Sequence, residues 1–376
     1  MELFKPELVV DFLKHRRVFG VLSLLLALVS LVSIFVPGPN LGVDFKGGTE
    51  LEIGFKGDVS AAELRSAVSA MGYQSPEVVA VLGAERRFIL RLEDVSSLPD
   101  SQVEKIRGSL VEQLGQGSID ELKVSPGGDK ISIRLTKSSD PATLAAALKT
   151  AGAKVRSVNV FGQADANRFE AMLVGVGDEV VAGLSEKLGD RGPNEDEMRV
   201  EWVGPRAGEQ LRDAALQSML YAIAFIMVYV ALRFDLRFAP GGVVAMVHDV
   251  LITIGVFILL QKQVTLATVA ALLTVLGYSI NDTIVVYDRI RENMQRQRDL
   301  SLYEIINVST SQTLSRTVVT SLTTLLSILG FFIWGTPMIQ DIVFALLIGF
   351  TIGTYSSIYV AAPFTEWMDR RFFHRA

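Results

Sequence analysis

The chain has 376 residues, 49% of them apolar and 20% charged, with a formal net charge of −5 and no cysteine. Soluble domains are seldom that apolar, so the composition points to membrane insertion. It excludes a disulfide-stapled fold and offers no basic excess for nucleic acid.

Lys14, His15, Arg16 and Arg17 precede an uncharged run, 18–36. Nineteen residues at about 1.5 Å each cross a ~30 Å hydrocarbon core. The run is longer than a signal h-region and no small-x-small cleavage site follows, so it reads as a retained anchor.

The next segment, 37–211, has soluble character, with 20 Lys and Arg against 27 Asp and Glu, a net of −7. Leu51, Ile53 and Phe55 alternate as in a half-buried strand, and Ser60 to Glu63 forms a capping box. Strand-like runs at 78–82 and 88–92 and a helix at 101–114 follow. A similar series begins at Ile131, Ile133 and Leu135, then Asp140-Pro141, strands at 155–161 and 168–174, and a helix at 178–188. The order β-α-β-β-α suits a ferredoxin-like α+β sandwich, duplicated as 37–126 and 127–211. Gly127-Gly128-Asp129 would be the hinge. The alternative is chance similarity between two generic α+β stretches.

Two glycine-bearing connectors flank this segment. One contains Gly42, Asp44, Gly47 and Gly48; the other contains Gly204 and Pro205. They read either as plain connectors or as hinges that couple the soluble segment to the spans.

Five more apolar runs, at 214–232, 239–260, 264–286, 317–334 and 342–364, complete a six-span α-helical polytopic protein, residues 212–376 holding spans two to six. Arg and Lys cluster at the N-terminus, after spans two and four, and at the C-terminus. Both termini are therefore expected in the cytoplasm, and 37–211 on the exported side.

Asp282 sits at the inner end of span four. A carboxylate at membrane depth costs roughly 2.5–3.5 kcal/mol on insertion scales. Thr274, Tyr278, Asn281, Asp282 and Val285 share one side of that helix, and Thr283 adjoins them. Span five carries Thr313, Thr317, Thr320, Thr324 and Ser327 on one face, bordered by Arg316. Asp282 and Arg316 approach the same membrane side and are expected to pair. Span three holds His248-Asp249, which suits either an interhelical bond or an ion path. Ala345, Gly349, Gly353, Ser357 and Ala361 recur every four residues in span six, a seam for close helix packing. No phosphate loop, nucleophile elbow or metal-ligand cluster is present, so neither an enzyme nor a bound cofactor is expected.

The motifs Gly42-Val-Asp-Phe-Lys-Gly-Gly-Thr49, Val203-Gly-Pro205, His248-Asp249, Leu276 to Glu292 and Gln312 to Arg316 together resemble the SecF family, the smaller-subunit family of the SecD–SecF pair in bacterial protein translocation. That family lies within the RND superfamily. The resemblance implies a multi-pass protein of the bacterial inner membrane that uses the proton motive force to promote preprotein export. It implies that Asp282 and Arg316 match the family's ion-pathway residues, with protons or Na⁺ as the ion. It implies SecD, the SecYEG channel, YajC and unfolded preprotein as partners, and no nucleic acid. The family's usual exported domain resembles a single ferredoxin-like unit, so two units here would be a departure. An exporter of lipid or small molecules and a passive translocon scaffold are the competing readings.

Overall fold

The computed structural model describes residues 9–373 apart from 82–83, 94–99, 126–129, 138, 163–166 and 235–236. The expected hinge Gly127-Gly128-Asp129 lies outside the described residues. The chain divides into one unit of residues 1–42 and 213–376 and a second of 43–212.

Helix α1 (Arg16–Phe35) opens the first unit and leads into the short strand β1 (Asn40–Leu41). Its buried residues are serines, Ser23, Ser30 and Ser33, while its leucines and valines face outward. That inverted pattern is what a helix shows when its outer face meets lipid.

The second unit begins with the helical turn α2 (Val43–Lys46), which contains Asp44, followed by strand β2 (Gly48–Phe55). Gly47 and Gly48 take φ of 77° and 136°. A Cβ on Gly48 would also lie 2.4 Å from the Leu92 carbonyl oxygen, so only glycine fits there. Then come α3 (Ala61–Ser69), β3 (Glu77–Ala80), β4 (Arg87–Leu92), α4 (Asp100–Leu114), β5 (Ile119–Val124), β6 (Lys130–Leu135), α5 (Pro141–Thr150), β7 (Val155–Val160), β8 (Arg168–Leu173), α6 (Val176–Leu188) and β9 (Pro193–Val203). The Ser60 hydroxyl caps α3 by accepting from the Glu63 amide at 3.1 Å. The Glu63 carboxylate turns instead to Arg191, whose guanidinium holds it below the usual carboxylate range.

The strands form two antiparallel four-stranded sheets, in orders β3-β4-β2-β9 and β5-β6-β8-β7. The first sheet's core takes Leu64 and Val68 from α3 and Val180, Leu184 and Leu188 from α6. The second takes Ile106 and Leu110 from α4 and Leu144 and Leu148 from α5. This corrects the expected tandem boundary at 126/127, which falls between the hydrogen-bonded neighbours β5 and β6. The second sheet is inserted into the first, between β4 and α6. The local patterns of α4 and α6 are alike, and only their long-range apolar contacts assign each to its sheet. Leu184→Ala is accordingly expected to cost about 2–5 kcal/mol. Hydrogen exchange should show the loss in β2, β4 and β9, with β6 and β8 unaffected.

The chain leaves through β9, whose Val203 pairs with Gly48 at the start of β2. A Cβ on Gly208 would stand 3.0 Å from the Gly47 nitrogen, so the two connectors lie against each other. Gly204 accepts from the Gly208 amide at 2.9 Å. Pro205 opens the following helix, and its side chain is outside the described residues.

The remaining elements are α7 (Pro205–Arg233), α8 (Ala239–Leu259), β10 (Gln263–Val264), α9 (Leu266–Arg296), α10 (Leu302–Trp334) and α11 (Pro337–Ser356). A π turn (Ser357–Ala361) carries α11 into α12 (Ala362–Met368). Pro363 has no N–H for the carbonyl four residues back, which favours that wider turn. Among the described residues, six helices are long and apolar enough to cross a membrane. Helices α8 and α9 are mostly buried, whereas α1, α7 and α10 are mostly exposed. β1 pairs with β10, and a Cβ on Gly42 would meet the Thr265 methyl at 2.8 Å. Helices α9 and α10 extend past their apolar runs as a polar hairpin. Asn293 Nδ2 donates there to Ser309 Oγ at 2.8 Å and Gln312 Oε1 at 2.9 Å.

Candidate functional site

Glycines in α11 bring it onto α9. A Cβ on Gly349 would fall 2.2 Å from Val275, and one on Gly353 would fall 3.0 Å from Ser279. That close approach places α11 hydroxyls beside carboxylates from α8 and α9, and Ser357 is itself fully buried at the end of the seam.

Asp282 is 2% exposed. Its Oδ2 accepts from Ser321 Oγ of α10 and Thr354 Oγ1 of α11, both at 3.4 Å. These hydroxyls also contact each other at 2.7 Å. The expected pairing with Arg316 is not present: among the described residues no ion pair within 4.0 Å joins them, and Arg316 is exposed. The physical reason is helical phase. Ser321 continues the buried Thr313–Thr317 ridge at i+4, while Arg316 projects from the open side of α10. Asn281 is also exposed, as are Thr274 and Gly277. Thr283 is buried, and its hydroxyl donates to the Ser279 carbonyl of its own helix at 3.2 Å. The stripe read around Asp282 therefore splits into a buried edge and an outward edge.

His248 and Asp249 form a second polar centre. Asp249 is fully buried. Its Oδ2 accepts from Ser279 Oγ of α9 at 2.5 Å and from Ser356 Oγ of α11 at 2.7 Å. Oδ1 lies 2.8 Å from His248 Nδ1. The tautomer with its proton on Nδ1 can donate to Oδ1 and complete the contacts of this carboxylate. That Nε2 is buried without a hydrogen-bond partner. His248 forms part of the wall of a crevice of about 790 Å³ between α1, α8 and α12.

Ser279 and Asp282 are one turn apart on α9, and Thr354 and Ser356 are two residues apart on α11. The two buried carboxylates thus share the same pair of helices. Sequence reasoning missed Ser321, Thr354, Ser279 and Ser356 as their partners. Small-residue spacing marked the helix faces involved, and no local signal says which hydroxyl meets which acid. Among the described residues no cluster of His, Cys, Asp and Glu could hold a metal ion.

Residues 184–371 match the family described as protein export membrane protein SecD/SecF, C-terminal, and residues 32–59 match the SecD/SecF GG motif. The protein translocase subunit SecF of Magnetococcus marinus is 36% identical over 98% of this chain and 95% of its own length. That of Vibrio alginolyticus is 33% identical over 96% and 90%. A crystal structure of SecDF, a translocon-associated membrane protein from Thermus thermophilus, is 28% identical with a TM-score of 0.65. The alignment covers 98% of this chain and 40% of that longer one. With two buried acids among its apolar helices, the glycine motif at the first connector and similarity to the two SecF subunits over nearly their whole length, the chain belongs to the SecF family of SecD/SecF protein export membrane proteins.

Proposed function

We propose that the chain is an accessory subunit of the bacterial Sec translocase and uses the proton motive force, through Asp282, to promote preprotein export across the inner membrane. The observation that carries this reading is a carboxylate 2% exposed inside an apolar bundle, bonded to two hydroxyls at 3.4 Å and, among the described residues, in no ion pair within 4.0 Å. Such a charge is expensive, and proton uptake removes it. Protonation would release Ser321 and Thr354 and change how α9, α10 and α11 pack. Arg316 would then act across the outward edge instead of as a resting ion pair. The membrane potential supplies about 2.3 kcal/mol per charge per 100 mV.

The outward edge, with Thr274, Gly277, Asn281 and Arg316, suits a second membrane subunit better than lipid, which supports SecD as partner. SecYEG, YajC and an unfolded preprotein follow from the family. Arg and Lys placement favours cytoplasmic termini and an exported 43–212 segment. Each sheet with its two helices fits a ferredoxin-like sandwich, which supports reading the segment as a nested instead of a tandem duplication. The side-by-side connectors at Gly47–Gly48 and Gly204–Gly208 are suited to pass bundle motion to that segment.

Asp282→Asn keeps size and removes titration. In vesicles containing the assembled translocase it is expected to abolish gradient-stimulated export while complex assembly stays normal. Full stimulation by the variant would overturn the reading. Collapsing H⁺ and Na⁺ gradients separately identifies the ion.

A further inference from the structure

We propose that the crevice between α1, α8 and α12 seats one anionic phospholipid, with its phosphate on Arg17 and Arg371 and an acyl chain along α1 and α8. The proposal goes beyond the proton-driven reading above and does not depend on it.

The crevice, of about 790 Å³, falls within the ~300–1,000 Å³ of clefts that hold ligands. Arg16, Arg17, Arg370 and Arg371 rim one end of it, against Glu366 as the single acid in its wall. Glu366 is already shared between Arg16 at 2.7 Å and Arg370 at 3.4 Å. The neighbouring Asp369 is bound to Arg237 at 3.3 Å. Arg17 and Arg371 are exposed and form no ion pair within 4.0 Å among the described residues. Two guanidiniums are thus left for an anion, and the phosphate of a lipid suits their planar forks. A choline or ethanolamine group would bring a further cation among four arginines, so the headgroup is one of net negative charge.

Past this rim the wall is apolar. Gly20, Leu24 and Ala27 come from α1, and Val244 and Val247 from α8. From Arg17 to Ala27 the helix rises about 15 Å, half of a ~30 Å hydrocarbon core. The crevice therefore has the depth of one leaflet, with its charges at the surface end. Trp367 stands at the same end, 52% exposed, with Phe364 and Phe372 at ring-centroid distances of 5.3 and 6.2 Å. Exposed aromatic rings of this kind mark headgroup depth. A basic rim, an aromatic collar and an apolar floor together fit a lipid, whereas a soluble anion would use only the first.

The test uses the full chain in phosphatidylcholine vesicles, with Trp202→Phe and Trp334→Phe leaving Trp367 as the only tryptophan. Quenching of its fluorescence by phosphatidylglycerol with brominated chains is compared with quenching by brominated phosphatidylcholine at the same mole fraction. The expected preference for the anionic lipid is on the order of tenfold. Arg17→Gln combined with Arg371→Gln should bring it close to one, and the two lysine replacements should retain most of it. Gly20→Leu separates a seated lipid from one drawn to the surface. A Cβ at Gly20 meets nothing within 4 Å, so the leucine enters the crevice without a clash and leaves the four arginines in place. It should abolish the preference as well. No preference in the parent chain, or an unchanged one in Gly20→Leu, overturns the proposal. An equal loss in Arg296→Gln combined with Arg298→Gln overturns it too, because surface charge alone would then account for the effect. Relief of quenching by inorganic phosphate at constant ionic strength would likewise overturn it, in favour of a site for the free anion.

Discussion

Gly349→Leu is expected to separate α11 from α9 and to give a large loss of stability in the bundle. Even the first added atom would stand 2.2 Å from Val275 Cγ2, 2.6 Å from Cγ1 and 2.9 Å from Cβ. Val275 is fully buried and β-branched, so its side chain has no other rotamer to turn to. Overpacking typically costs about 1–3 kcal/mol, and a leucine forced between two helices belongs at or above the top of that range. Unfolding in mixed micelles would measure it. Gly349→Ala should lie between leucine and wild type, and Val275→Ala in the same chain should recover most of the alanine variant's loss, a coupling that a double-mutant cycle isolates. Gly277→Ala is the control, because a Cβ there meets nothing within 4 Å. Equal effects at Gly277 and Gly349 would show that helix propensity, not packing, sets the cost.

Asp249→Ala is the second. The change removes the acceptor for Ser279, Ser356 and His248 together and leaves three buried donors facing a void. Removing one partner of a buried polar cluster costs about 3–5 kcal/mol. Interhelical hydrogen bonds in membranes average only about 0.6 kcal/mol each, so the lower end is expected here. Asp249→Asn should be far milder. Its amide oxygen still accepts both hydroxyls, and its NH₂ meets Nδ1 if the ring changes tautomer. A stability gap of about 2 kcal/mol or more between the two variants is therefore expected. Indistinguishable unfolding curves would mean the cluster contributes little to holding α8, α9 and α11 together.

Asp282 differs from Asp249 in a way that separates function from stability. Both are buried, but Asp249 has three short contacts, whereas the hydroxyls of Ser321 and Thr354 reach Asp282 only at 3.4 Å. The better-satisfied acid organises the bundle, and the poorly satisfied one is the better candidate for a change of charge. Both acids stood out in the sequence, since a carboxylate in an apolar run is conspicuous whatever surrounds it. Their ranking did not, because satisfaction depends on Ser321, Thr354, Ser279 and Ser356, which lie 30 to 107 residues away.

By itself the sequence determined the six spans, the soluble segment between the first two, the acids within the spans and the small-residue seam. Lipid leaves the backbone no alternative to closing its hydrogen bonds within each helix, so length and apolarity suffice to mark a span. Local alternation and capping likewise placed most strands and helices of the soluble segment. Only the tertiary structure decided which helix belongs to which sheet, that Arg316 and Asp282 form no ion pair within 4.0 Å among the described residues, and that His248 and Asp249 join α9 and α11 beside an open crevice. Those outcomes depend on the rotation of each helix about its axis and on contacts between residues distant in the chain. Neither is encoded in any window of neighbouring residues.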